Sequence, residues 1–138
     1  MSRSAAGHIL LATDDNGTDR EVRLAFNQSA PGWTIDLVRS RREIDSAKTA
    51  NLVLLDLMLS HEQPFELLRW LRTEPRYREV PVFVLGSTIV ADNVSEAYTL
   101  GANSCLLKES DPQGFSRIVH AVAAYATLIG GTGSSCTA

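Results

Sequence analysis

Cysteine is scarce in this 138-residue chain, and the two present, Cys105 and Cys136, have no Cys or His partner at ligand spacing. That leaves no thiolate metal site and points to free thiols in a reducing compartment, the cytoplasm. An excess of charge of one sign is missing as well: 13 Lys and Arg against 16 Asp and Glu give a net charge of −3. Such a balance carries no electrostatic footprint for nucleic acid or for an anionic membrane. The one basic run, "RSRREIDSAK" (39–48), reads as a solvated helix face. Long hydrophobic runs are absent too, since nothing approaches the roughly 18 residues that a membrane helix needs. The amino-terminal "MSRSAAGHILLAT" has a charged start, but its apolar part is short and runs into "DD", unlike a signal peptide. No repeat and no second domain are apparent.

What is present is an ordinary soluble composition, 44% apolar and 21% charged, in a chain long enough to enclose one core. Five short β-rich runs, "HILLAT" (8–13), "WTIDLV" (33–38), "NLVLLD" (51–56), "VPVFVL" (80–85) and "NSCLLK" (103–108), read as strands. Helical patterns fill 18–30, 41–50, 64–73, 92–100 and 111–129 between and after them. Asp111-Pro112 suits the start of the last helix, and Leu100-Gly101 the end of the fourth. Strictly alternating strands and helices predict an α/β fold, a doubly wound five-stranded parallel sheet with five helices, flavodoxin-like (order 2-1-3-4-5) or Rossmann-like. The domain is expected over 1–129, followed by a flexible polar tail, 130–138.

One carboxylate sits oddly. Leu52 to Leu57 are aliphatic except for Asp56, and a buried charge is costly unless something pairs with it. In doubly wound sheets, function gathers at the carboxyl ends of the strands. There the first strand ends in Asp14-Asp15, the third in Asp56 and the fifth in Lys108. With order 2-1-3-4-5, three carboxylates converge on one pocket and a lysine joins them. Like charges so close need a cation between them, and a hard, oxygen-seeking Mg²⁺ suits three aspartates. Taken singly, Asp14-Asp15 would be a solvated turn or helix cap, Asp56 a strand-end cap and Lys108 a surface lysine. His8 reads as a surface residue, His61 as a loop residue, His120 as packing or surface, and Trp33 and Trp70 as core aromatics.

The paired acids, "LLDLML", "VPVFVL" and "GANSCLLK" together resemble a response-regulator receiver domain (CheY-like) over residues 7 to 129. "TDDNGTDREVRLAF", the long second loop and "NSCLLKESD" are most similar to single-domain receivers that partner phytochrome-type histidine kinases. The resemblance implies the flavodoxin-like order 2-1-3-4-5. It also implies that Asp56 takes a phosphoryl group from a sensor histidine kinase or phosphotransfer protein. Asp14, Asp15, Asp56 and the Met58 backbone carbonyl would then hold Mg²⁺, and Lys108 would pair with Asp56 and later with the phosphoryl oxygens. Signalling would pass through protein contacts to a downstream partner, without turnover of an external substrate. A homodimer through the face of the fourth helix, fifth strand and fifth helix, around Tyr125 and Leu128, belongs to the same expectation.

The chain departs from that family at several places. The Thr or Ser expected at the end of the fourth strand is Gly86, with Ser87 and Thr88 as the possible substitutes for its phosphate contact. The usual aromatic on the fifth strand is Cys105, and the loop after Asp56 carries Ser60 and Pro64. The metal pocket is complete while the conformational relay is not. A rival reading is therefore a pseudo-receiver, a protein-binding module that works without phosphorylation. A haloacid-dehalogenase phosphatase would want Asp-x-Asp where Asp56 is followed by Leu57 and Met58. A flavodoxin would want hydroxyls, where "TDDNGTD" repels a phosphate.

Overall fold

A computed structural model describes residues 7–60, 62–86, 91–108 and 112–132. The sheet consists of β1 (His8–Ala12), β2 (Thr34–Val38), β3 (Leu52–Asp56), β4 (Val82–Gly86) and β5 (Ser104–Leu107). All four strand pairings are parallel, and the order is β2-β1-β3-β4-β5. Five helices connect and follow the strands: α1 (Asn16–Ser29), α2 (Arg41–Ser46), α3 (Pro64–Thr73), α4 (Ala91–Thr99) and α5 (Pro112–Thr132). The flavodoxin-like choice is the one adopted.

Both faces of the sheet are covered, which explains the continuous apolar runs. Side chains alternate between faces along a strand. On one face Leu10, Ala12, Val53, Leu55, Val82 and Val84 pack with Ile44, Leu67, Leu68 and Leu71. On the other, Ile9, Leu11, Leu52 and Leu54 meet Val22 and Phe26 of α1 and Phe115, Val119 and Val122 of α5. Tyr125 is half-buried at the margin of this core, its ring centroid 5.2 Å from that of Phe83. Leu128 is the exposed one.

Element ends follow identifiable donors and acceptors. Helix α1 begins two residues earlier than its pattern predicts because the Asp15 carboxylate accepts from the N–H groups of Gly17 and Thr18. Helix α2 stops at Ser46, short of the predicted Ala50. Its terminal carbonyls are taken by a remote side chain, the Arg76 guanidinium, which donates to Asp45 and Ala47. Pro64 opens α3 as predicted. At the end of α4, Gly101 has φ +106°, Ala102 N–H donates to Ala97 and Gly101 N–H to Tyr98, the paired bonds of a Schellman closure. Helix α5 continues through 130–132, into the stretch assigned to the tail. The expectations for Asp111, Cys136 and 133–138 lie outside the described residues, as do those for His61, Ser87 and Thr88.

The remaining sequence candidates are placed plainly. His8 is largely covered, its ring between Thr34 Oγ1 at 2.6 Å and Asp36 at 3.0 Å, which corrects the surface assignment. His120 meets Ser29 Oγ, tying α5 to α1. Trp33 and Trp70 are half-buried; Trp33 tilts against Phe26 and Trp70 lies beneath the Arg41 guanidinium.

Candidate functional site

Asp56 ends β3, and its side chain is wholly buried. A carboxylate there must be satisfied from inside, and three donors do so. Lys108 Nζ, arriving from the end of β5, donates to Oδ2 at 3.0 Å. Thr13, following β1, donates its hydroxyl to the same oxygen at 2.6 Å. Met58 N–H closes onto Oδ1 at 2.9 Å. Asp56 is thus no cap of the next helix, which begins at Pro64.

Lys108 is itself nearly covered and reaches three acceptors. Besides Asp56 it donates to Thr18 Oγ1 at 3.2 Å and lies 3.8 Å from Asp15. Thr18 passes its own hydroxyl to Asp15 Oδ2 at 2.6 Å. That hydrogen bond is the main reason the Asp15 carboxyl lies below its usual pKa, opposed by partial burial and helped by the α1 N–H groups and Lys108.

Asp14 turns elsewhere. Its Oδ2 accepts from the backbone N–H of Ser60 at 2.7 Å and from the Ser60 hydroxyl at 2.5 Å. Arg39 Nε lies 3.6 Å from its other oxygen. The loop after Asp56 is thereby tied to the loop after β1 through the residue that departs from the resembled pattern.

The topology does bring the ends of β1, β3 and β5 together, but the three carboxylates do not converge as expected. Among the described residues, no group of three or more His, Cys, Asp and Glu side chains is arranged to hold a metal ion. The physical reason is that each carboxylate has donors of its own: a helix terminus for Asp15, Ser60 and Arg39 for Asp14, and Thr13, Lys108 and Met58 N–H for Asp56. The donor chemistry nevertheless suits a hard divalent ion, being all oxygen and gathered at the ends of two directly paired strands.

Gly86 ends β4 one residue beyond Leu85, the partner of Asp56, and its carbonyl accepts from Lys108 N–H at 2.7 Å. No side chain from this position reaches Asp56. Cys105 is half-buried on β5, its thiol pKa raised by burial, and its backbone N–H donates to the Tyr98 hydroxyl at 3.3 Å. Thr13, Thr18 and Arg39 were not singled out for the site by sequence reasoning. Thr13 had a signal: a hydroxyl ending an apolar strand beside two acids needs a partner. Thr18 had one too, its place three residues after Asp15 at a helix start, whereas Arg39 had none, because Asp14 comes from another loop.

The response regulator receiver domain pattern matches residues 9–121. The chain belongs to the response regulator receiver domain family. Receivers are generally signalling modules, phosphorylated by histidine kinases or phosphotransfer proteins in two-component systems. This receiver is 26% identical to the two-component response regulator ORR5 of Oryza sativa subsp. japonica, covering 86% of this chain and 90% of the relative. It is 24% identical to the response regulator Rcp1 of Synechocystis sp., covering 85% and 86%. Its fold is similar to that of the phosphorylated cyanobacterial phytochrome response regulator RcpA, with a TM-score of 0.80, 24% identity, and 88% and 94% of the two chains covered. The Mn²⁺-bound form of Rcp1 is equally similar to the receiver, with TM-score 0.80 and the same coverage. No described helix is long and apolar enough to cross a membrane.

Proposed function

We propose that this receiver takes a phosphoryl group on Asp56 and passes the signal on through protein contacts in the cytoplasm. The observation that carries the reading is the fully buried Asp56 carboxylate at the end of β3, paired with the nearly covered Lys108 ammonium at 3.0 Å. A module free of phosphoryl chemistry has no evident need for a buried ion pair, which is weak as a source of stability.

The donor is a phosphohistidine of a sensor kinase or phosphotransfer protein. An Asp56 oxygen forms the new O–P bond as the P–N bond breaks, and the electron pair leaves on the imidazole, which takes up a proton. Lys108 neutralises the carboxylate at rest and follows the charge onto the phosphoryl oxygens, because the transition state is stabilised mainly by position and electrostatics. Asp14, Asp15, Asp56 and the Met58 carbonyl would hold Mg²⁺, which supplies positive charge to the transferring group. For Asp14 that means exchanging Ser60, and for Asp15 loosening the helix cap. The chain catalyses no turnover of an external substrate.

Output through α4, β5 and α5 is supported by the large apolar side chains left exposed there, Tyr98, Leu107 and Leu128. A second copy or a downstream protein would cover them; a monomer in light scattering at high concentration, with beryllofluoride present, would remove the homodimer. The pseudo-receiver reading keeps one observation in its favour, the loss at Gly86 and Cys105 of both halves of the usual relay.

The deciding experiment follows backbone amides by NMR while Mg²⁺ and then beryllofluoride, a phosphoryl mimic, are added to wild type and Asp56→Asn. Shifts at Asp14, Asp15, Asp56 and Lys108 that beryllofluoride extends, and that Asp56→Asn abolishes, support the acceptor. Mg²⁺ binding without any response to beryllofluoride makes the domain a phosphorylation-independent adaptor.

A further inference from the structure

Gly86 removes a hydroxyl from one side of Asp56, and Thr13 supplies one from the other. Thr13 is 1% exposed, and its Oγ1 lies 2.6 Å from Asp56 Oδ2. The direction of that bond is settled by a third group. The Asp15 backbone N–H, which can only donate, points at the same Oγ1 from 3.0 Å, so the hydroxyl proton goes to the carboxylate.

The two oxygens of Asp56 are therefore unequal. Oδ2 accepts from Thr13 and from Lys108, filling about two lone-pair sites, whereas among the described residues Oδ1 accepts only from Met58 N–H. Rotation about the last torsion of an aspartate is soft, so the carboxylate plane can tilt away from the line of attack. Lys108, on a flexible four-carbon stem, is a poor device for preventing it. Thr13 is a short side chain directly after a central strand, and it holds the carboxylate plane from a fixed point.

Resting on the acceptor reading, we propose that Thr13 is a positioning residue for phosphoryl transfer, pinning Oδ2 so that Oδ1 is the attacking atom. The Oδ1 lone pair forms the O–P bond, and the donor's leaving atom departs with the electrons of the broken bond. When Lys108 shifts toward the transferred group, the Thr13 hydroxyl stays on Oδ2.

The test uses the full chain with acetyl phosphate and Mg²⁺, reading the acyl phosphate by intact mass over time; acetate leaves as Oδ1 bonds phosphorus. Thr13→Val removes the hydroxyl, and Thr13→Ala does so if the valine variant folds poorly. Thr13→Ser keeps it. Since small misplacement of a reacting group costs one to two powers of ten, the hydroxyl-free variants are expected to lose about tenfold or more in the saturating rate. Half-saturation by acetyl phosphate should stay near wild type, and Thr13→Ser should recover most of the rate. Separately, in metal-free protein, the ¹³Cγ resonance of Asp56 should move in Thr13→Val and not in Thr13→Ser. Equal rates in wild type and Thr13→Val, or equal losses in Val and Ser variants, overturn the proposal while leaving the acceptor intact. A wild type that takes up no phosphoryl group overturns both.

Discussion

Replacing Lys108 by Met should destabilise the fold far more than replacing Asp56 by Asn, although each breaks the same ion pair. Asp56 has no exposure to water, and among the described residues Lys108 is its one cationic partner, at 3.0 Å. In Lys108→Met the carboxylate keeps the Thr13 hydroxyl and Met58 N–H but loses its countercharge. Stranding a buried charge costs about 3–5 kcal/mol, and two surviving donors place this case near the lower end, about 3 kcal/mol. In Asp56→Asn the lysine still has Thr18 at 3.2 Å and Asp15 at 3.8 Å, so the loss is closer to about 1 kcal/mol, the worth of one hydrogen bond. The double variant strands nothing and should be more stable than Lys108→Met alone. Urea unfolding in EDTA measures all four proteins. At roughly 4 °C per kcal/mol for a domain of this size, melting should fall by about 12 °C for Lys108→Met and about 4 °C for Asp56→Asn. Equal single losses that add within about 0.5 kcal/mol would refute the reasoning, because they would mean that the pair is not coupled.

Other consequences are as direct. Arg72 donates to the carbonyls of Gly101, Tyr77, Arg78 and Val80 and to Asn103, so Arg72→Lys, which cannot reproduce that fork, should cost about 2–3 kcal/mol in urea unfolding. Gly101→Ala should also destabilise, by more than about 1 kcal/mol, since φ is +106° and a Cβ would stand 2.8 Å from Arg72 Cγ; pairing it with Arg72→Ala relieves the clash but not the backbone strain. Tyr77 is fully buried, and desolvation raises its phenol above the ordinary 10.0. The unfolded chain therefore releases this proton first, and the contribution to stability, complete below about pH 10, is lost as pH rises toward the folded value. Tyr77→Phe should flatten that alkaline decline in a melting series, with little change at pH 7 because the hydroxyl's one bond, to Lys48, is 3.5 Å long. In a Cys136→Ser background, the Cys105 thiol, raised by burial, should react with a thiol reagent at pH 8 much more slowly than the urea-unfolded chain does.

Several features were determined by sequence alone. Apolar runs of strand length alternating with helical patterns require a parallel sheet covered on both faces, because only that arrangement buries "LVLLD" and "VFVLG" together. The placement of Asp14, Asp15, Asp56 and Lys108 at strand ends follows from the same alternation, as does Pro64 at the start of α3. What tertiary structure decided is where each carboxylate points. Asp14 is drawn to Ser60 and Arg39, Asp15 to the start of α1, and Asp56 to Thr13 as well as Lys108. Helix α2 ends where Arg76 captures its carbonyls, and Tyr125 is half-buried because Phe83 meets it. These outcomes share one physical cause. Burial patterns are periodic along the chain and can be read from it, whereas a polar group bonds to whichever donor the fold brings within about 3 Å, and those donors come from distant loops.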